Sequence, residues 1–195
     1  MILVTGATGH IGNVLVRELR KQGYPVRALV LPGESLKPIE GIDLEIVEGN
    51  ILDPASLTRA MQGIEGVFHL AGIISIMPGD DERVYKVNVE GTKNVIRAAR
   101  EAGVKRMLHT SSIHALKRVE GKCMDESLPF DPDNPVGVYD RTKAEASLAV
   151  LEAVEQGLDA VIVCPTGVVG PHDYLGSEIG HLILGWLKAG VALLI

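Results

Sequence analysis

Three residues carry the chemistry this sequence offers: Ser112, Tyr139 and Lys143. Tyr139 and Lys143 are separated by one helical turn in Tyr-x-x-x-Lys, so on a helix they share a face. A phenol with an ordinary pKa near ~10 is a poor base at neutral pH, and a nearby ammonium favours the phenolate and lowers that value. A phenol tuned in this way takes a proton from a substrate hydroxyl, or returns one to a carbonyl. A serine hydroxyl bonded to the same oxygen would hold it in line. Ser111 and Ser112 are adjacent at the end of an apolar run, and in extended backbone they point to opposite sides, so only one of them faces a shared crevice. Taken singly, Tyr-x-x-x-Lys also fits an exposed helix pair, and Ser-Ser a capping or turn pair.

A second stretch offers anion binding. Thr5-Gly6-Ala7-Thr8-Gly9-His10-Ile11-Gly12 follows the apolar run Met1-Ile2-Leu3-Val4 and opens a segment with helical spacing at Ile11, Val14, Leu15 and Leu19. Glycines let a strand turn tightly into a helix and let backbone approach a bulky anion. The first-turn N–H groups and the helix dipole then favour a pyrophosphate. The spacing is G-x-x-G-x-x-G rather than G-x-G-x-x-G, and alone it also fits a plain strand-to-helix turn.

The elements that must position these residues alternate along the chain. Strands are expected over 1–4, 24–31, 44–47, 66–70, 105–110 and 159–164. Helices are expected over 10–22, 53–61, 81–102 and 138–156, the last with Ala144, Leu148, Leu151 and Val154 along one face. Asp53-Pro54 reads as a cap and first helical residue, and Gly23 as a helix stop. Strands and helices at this rhythm predict an α/β fold, a doubly wound parallel sheet with helices on both faces. Ligands of such sheets bind at the carboxyl ends of the strands, which gathers the glycine turn, Ala71-Gly72, Ser111-Ser112 and the segment after Cys164 around one crevice. The longest irregular stretch runs from Ile113 to Gly137.

Composition narrows the function classes. A chain of 195 residues is one domain, or one with a small appendage. With 19 basic and 25 acidic residues the net charge is 19 − 25 = −6, so no basic footprint points to nucleic acid. Cys123 and Cys164 match no metal or redox spacing, and no metal site is expected. Met1 begins directly on the first strand without a signal peptide, and the apolar tract from Ile179 carries His181 and Lys188, which argues against a membrane span. A cytoplasmic location is expected. His69 reads as a core histidine, His114, two residues past Ser112, as packed in a loop or touching substrate, and His172 as near the crevice or merely exposed.

Together these pieces resemble the extended short-chain dehydrogenase/reductase superfamily, in its epimerase/dehydratase and dihydroflavonol-reductase-like branch. The matching residues stand in the family's order: Thr5-Gly6-x-x-Gly9-x-x-Gly12, Leu70-Ala71-Gly72, Asn88-Val89-x-Gly91-Thr92, Thr110-Ser111-Ser112, Tyr139-x-x-x-Lys143 and Pro165-Thr166-Gly167-Val168-Val169-Gly170-Pro171. The resemblance implies a Rossmann-like dinucleotide-binding unit over 1–170, and over 171–195 the start of a C-terminal substrate region that is mostly missing. It implies Ser112, Tyr139 and Lys143 as catalytic residues, with Ser112 chosen over Ser111 by family position. For an NAD or NADP cofactor it implies Gly6, Thr8, Gly9, His10, Ile11 and Gly12 at the pyrophosphate and Asn50-Ile51 against the adenine. Leu70, Ala71, Gly72 and Asn88 would line the cofactor, Tyr139 and Lys143 would contact it, and Pro165, Thr166, Gly167 and Val168 would lie by the nicotinamide. It also implies a homodimer through the two long helices and a small-molecule substrate bearing a carbonyl or secondary alcohol. A non-catalytic nucleotide-binding protein is the competing reading. The choice of nucleotide stays open: Leu31 stands where NAD enzymes place an acid, with Glu34 a little beyond, and where NADP enzymes place an arginine only Lys37 is close by, with Arg27 inside the strand, so neither pattern is complete. The tail from Ile179 is expected to leave apolar surface uncovered.

Overall fold

Strands that are apolar along their whole length need cover on both faces, and parallel sheets provide it. The computed structural model, which describes residues 1–74 and 79–189, has this form. Six parallel strands lie in the order β3-β2-β1-β4-β5-β6. They are β1 (Ile2–Thr5), β2 (Val26–Val30), β3 (Glu45–Glu48), β4 (Gly66–His69), β5 (Arg106–Thr110) and β6 (Ala160–Val163). The order reverses beside β1, so the carboxyl ends of β1 and β4 flank the switch point of the sheet. Alternation along the strands divides the core. Leu3, Val67 and Met107 point to one side, with Val95 and Val150 from the covering helices. Val4, Ala28 and Val30 point to the other, with Val16 and Leu19.

The helices follow local signals. α1 (His10–Lys21) ends before Gly23, which takes a positive φ of 84°. α2 (Pro54–Ala60) starts on proline, and the Asp53 carboxylate caps it by accepting from the Ala55 N–H at 3.0 Å. α5 (Val138–Glu155) and α6 (Glu178–Ala189) complete the set on the C-terminal side.

One helical expectation needs correction. The helix expected over 81–102 is broken into α3 (Asp81–Tyr85), a π-helical turn (Lys86–Glu90) and α4 (Gly91–Glu101). The wider turn carries Asn88 and Val89, both buried, and Gly91 follows where a Cβ would stand 2.5 Å from Ile51 Cδ1. On α5, Ala144 is buried, but Leu148, Leu151 and Val154 are open to solvent. The buried face of α5 is small and polar instead, built from Thr142, Lys143, Ala146, Ser147, Val150 and Ala153.

The stretch 113–137 contains one 3₁₀ turn (Ile113–Ala115) and an antiparallel bridge between Leu116 and Phe130. On α6, Leu184 is 53% and Leu187 75% exposed, so its described part leaves the expected apolar surface uncovered. Residues 190–195 of the expected C-terminal region lie outside the described residues. Among the described residues no helix is long and apolar enough to cross a membrane.

The joint between β1 and α1 has no room for side chains. A Cβ on Gly12 would stand 2.0 Å from the Gly6 carbonyl oxygen, whereas one on Gly185 meets nothing within 4 Å. Gly12→Ala is therefore expected to lower stability by about 2 kcal/mol or more, through overpacking against backbone. Gly185→Ala should be neutral or stabilising by up to ~1 kcal/mol. Urea midpoints of the two variants check this; equal midpoints would contradict the packing described.

Candidate active site

Gly6 holds a positive φ of 73°, and a Cβ on it would stand 2.7 Å from the Ala71 nitrogen. The turn after β1 thus lies directly against the end of β4. Gly9 caps α1 and has no side chain to occupy the first-turn N–H groups. A phosphate-sized anion fits this arrangement, since backbone donors and the positive end of a helix of three turns meet there. Thr8 is buried between the glycines and donates to Glu34 Oε1 at 2.5 Å. Ile11 is more than a third exposed on the first turn of α1.

The segment after β6 is tied onto this turn. The His10 ring meets the Pro171 carbonyl at 3.1 Å. The Asn13 amide donates to the carbonyls of Gly9 (2.9 Å), His10 (3.0 Å) and His172 (3.0 Å). His10, expected at the pyrophosphate, is thereby engaged in holding a loop. Asn13 escaped the sequence reading; its only signal was a polar residue on the otherwise buried face of α1. Pro165 is half-buried and its carbonyl accepts from the Ile113 N–H, while Thr166, Gly167 and Val168 are exposed.

At the end of β4, Leu70 and Ala71 are half-buried and Gly72 is exposed, with Gly72 placed so that a Cβ would meet Asn88 Oδ1 at 3.1 Å and Lys143 Nζ at 3.9 Å. Asn88 is buried, and its amide has partners within the protein. Its Oδ1 accepts from the Ile73 N–H (2.8 Å), and its Nδ2 donates to the Ile73 carbonyl (3.0 Å) and to Thr142 Oγ1 (3.1 Å). The amide is used to fasten the loop after β4 to α5. Asn50 and Ile51 also have partners within the protein. Asn50 Oδ1 takes the Leu52 N–H at 2.9 Å, and the Ile51 side chain is in the core under Gly91.

The reactive side chains converge at the ends of β5 and the start of α5. Ser111 and Ser112 do point apart: Ser111 Oγ pairs with Ser147 Oγ at 2.7 Å inside the helix–sheet interface, while the Ser112 hydroxyl meets the Tyr139 phenol. Lys143 is 7% exposed, and its ammonium donates to the Thr110 carbonyl at 2.6 Å. Burial lowers the Lys143 pKa to about 8. The expectation that Lys143 depresses the phenol is not met in this arrangement. Burial pushes the Tyr139 phenol above its ordinary value, Asp140 adds to this, and only the Ser112 hydrogen bond acts the other way. The physical reason is that Lys143 is turned onto the strand-end carbonyl.

Beside Tyr139 stands a group that the sequence did not reveal. The buried Asp140 carboxylate takes Arg118 Nη2 at 3.3 Å, Arg118 also meets His114 Nδ1 at 3.0 Å, and the His114 and Tyr139 rings lie 6.3 Å apart, edge to face. His114 is thus set against Tyr139 rather than buried in its loop. His172 is exposed and takes a positive φ of 65°. His69 is a satisfied core histidine, held between Thr5 Oγ1 (2.7 Å) and Thr92 Oγ1 (2.9 Å).

Similarity to known proteins bears on the fold and the family. The model of the NAD dependent epimerase/dehydratase family matches residues 2–191. A putative dihydroflavonol 4-reductase from Synechocystis is 38% identical over 95% of this chain and 54% of its own length. The crystal structure of gox2253 superposes with a TM-score of 0.90 at 36% identity, covering 98% of this chain and 58% of that one. A double mutant of dTDP-glucose 4,6-dehydratase from Streptomyces venezuelae, solved with NAD, has a TM-score of 0.83 at 26% identity over 99% of this chain and 63% of that one. The chain spans a little over half the length of the curated relatives it matches.

The buried lysine makes stability depend on pH. The folded protein releases the Lys143 proton near pH 8, against 10.5 for an unperturbed lysine. Between those values the unfolded chain binds more protons, so this contribution to stability rises with pH across that window and is least favourable below about 8. Relative to Lys143→Met, the wild type should gain up to ~3 kcal/mol on going from below that window to above it. Denaturant titrations at several pH values measure the difference, and a flat difference would show that the ammonium is not buried as described.

Proposed function

The chain belongs to the NAD dependent epimerase/dehydratase family, and from that premise we propose that it is the cofactor-binding part of an oxidoreductase acting on a carbonyl or a secondary alcohol. Either a nucleotide-sugar epimerase or dehydratase, or a ketone reductase of the dihydroflavonol type, fits this reading. The observation that carries it is the meeting of Ser112 and Tyr139, with Lys143 one turn further along α5, at the carboxyl end of β5.

The roles follow from the contacts. The N–H groups of the Gly9–Gly12 turn would hold the pyrophosphate of NAD, and bound there the nicotinamide would supply or accept the hydride. Tyr139 keeps its proton at neutral pH, because burial and Asp140 raise its pKa, so it begins as a proton donor to a substrate oxygen. Ser112 lies where its hydroxyl can hold the same oxygen. Lys143, one turn further along α5, supplies a buried cation near this pair. Residues 1–170 form the dinucleotide unit in this reading, and 171–195 begin the substrate region. The non-catalytic alternative gains no support from the site, since the serine, tyrosine and lysine are all present.

The exposed stripe of Leu148, Leu151 and Val154 on α5 supports a pairing of two copies through the long helices. Light scattering should give twice the monomer mass at micromolar concentration, and Leu148→Glu should return it to one; a monomeric wild type removes the dimer.

Replacing Tyr139 by Phe keeps the ring and deletes the proton. Turnover of a ketone or alcohol substrate should fall by a factor of about 10² to 10⁴, the range for loss of a general acid, while nucleotide binding stays within about twofold. Steady-state rates and equilibrium titration separate the two effects. A Tyr139→Phe variant with undiminished turnover would exclude Tyr139 as the proton donor.

A further inference from the structure

The loop after β5 holds a side chain that the proposed reaction leaves unassigned. His114 lies in the 3₁₀ turn that Ser112 caps. All but one of its polar groups are occupied. Its backbone N–H donates to Ser112 Oγ at 3.2 Å, and its carbonyl accepts from the buried Asn134 amide at 3.3 Å. Its Nδ1 meets Arg118 Nη2 at 3.0 Å. A guanidinium is always protonated and only donates, so Nδ1 presents its lone pair and the proton of the neutral ring sits on Nε2. Among the described residues Nε2 has no partner, and the side chain is half-exposed.

The ring is held from the side of the helix as well. The Asp140 carboxylate, buried at the start of α5, takes the same Arg118 Nη2 at 3.3 Å. Asp140 directly follows Tyr139, so this ion pair ties the loop to the segment that carries the phenol. The carboxylate also balances the guanidinium, which leaves a neutral N–H beside Tyr139 rather than an unpaired charge. The His114 and Tyr139 rings stand edge to face with 6.3 Å between centroids.

We propose that His114 contacts the substrate and selects ketones that carry a second oxygen next to the reacting carbonyl, with Nε2–H donating to that oxygen. Arg118 and Asp140 are positioning residues, which fix the ring and its tautomer. The proposal rests on the reading that a carbonyl is reduced between Ser112 and Tyr139. A neutral N–H matches a hydroxyl or carbonyl oxygen. Because the ring adjoins Tyr139 and its backbone is bonded to Ser112, the accepting oxygen must lie close to the reacting carbon. A ketone without that oxygen leaves the N–H unpaired once water is displaced, and an unmet donor costs binding.

The test uses two aryl ketones that differ by one hydroxyl, α-hydroxyacetophenone and acetophenone, each reduced with NADH and with NADPH. In wild type kcat/KM should favour the hydroxyketone at least about tenfold, the discrimination that one neutral hydrogen bond supplies. His114→Phe keeps a ring against Tyr139 and removes the donor, so the ratio should fall to about threefold or less, through the hydroxyketone. His114→Gln carries an amide that can accept from Arg118 and still donate, and should recover a ratio of about fivefold or more. Circular dichroism checks that the variants fold. Nitrogen NMR of the ring should show the Nε2–H form in wild type, and Arg118→Met and Asp140→Asn should each add the Nδ1–H form. A wild-type proton on Nδ1, a wild-type ratio near one, a ratio unchanged in His114→Phe, or one lost equally in His114→Phe and His114→Gln overturns the role of His114 and leaves the reading of Ser112 and Tyr139 standing. A tautomer unmoved in Arg118→Met and Asp140→Asn overturns the positioning role of that pair. Absence of turnover of either ketone with either nucleotide overturns the reading of the site and the proposal together.

Discussion

The constraint on which the rest of the molecule depends is the approach of backbone to backbone where β1, α1 and β4 meet. Gly6 lies against Ala71, and Gly12 lies against Gly6, at separations that leave no space for a Cβ. With side chains there, α1 would be pushed off the sheet and the turn after β1 would no longer touch the end of β4. That contact defines the switch point, because β1 is paired with β2 on one side and with β4 on the other. The same closeness brings Thr8 and Ala71, from segments far apart in sequence, to one end of the sheet. It also lets the Thr5 hydroxyl accept the Ala71 N–H at 3.2 Å.

From that hydroxyl a chain of hydrogen bonds runs across the sheet in one consistent direction. Thr92 donates its proton to the Asn88 carbonyl at 2.6 Å, so its oxygen is free to accept from His69 Nε2. His69 is then the Nε2–H tautomer, and Nδ1 accepts from Thr5. Burial and the charge of Lys143 lower the His69 pKa to about 3, which agrees with a neutral ring used as both donor and acceptor. Asn88 continues the layer by fastening Ile73 and Thr142, and Ser111 with Ser147 closes its far side. The π-helical turn belongs to this layer, since it is the segment that carries Asn88 inward. A polar interface of this kind gives up some apolar burial and in return fixes orientation, because every partner must be met at once.

What could be read from the sequence, and what could not, follows the range of the interactions. Met1 to Val4, the glycine turn and Asp53-Pro54 are local signals, and the strand order follows from their alternation with helices. The π turn is not local: nothing in the composition of Lys86–Glu90 announces it, and its use is a bond from Asn88 to a loop on another segment. The outward stripe of α5 could be placed by resemblance but not by periodicity alone. Periodicity assumes that the apolar face is the buried one, but the sheet presents His69, His109 and Ser111 there, so α5 turns Lys143 and Ser147 inward and leaves leucines outside. Glu34 and Asp140 reach their partners through a turn and a long loop, and no spacing rule connects them.

The polar layer also explains why Lys143 is the group that holds charge. Three basic side chains, Lys143, His69 and His109, are buried within it, and desolvation works against all of them. A second positive charge at such short range would be costly, so the first to be protonated suppresses the others. Lysine starts from the higher intrinsic pKa and has a carbonyl to donate to at Thr110, whereas His109 finds no partner for its ring nitrogens among the described residues. The histidines therefore go neutral; burial and Lys143 take His109 well below its ordinary value, with His69, at 5.4 Å between ring centroids, adding to the effect. Of the three, Lys143 alone is left as the cation of this layer. Its position is set by the strand-end carbonyl rather than by the phenol, so the phenol stays protonated in this arrangement. In the proposed reaction, a substrate oxygen placed between Ser112 and Tyr139 would meet a donor already carrying its proton, and the buried lysine one turn along α5 would be a group able to stabilise the negative charge left behind once that proton is transferred.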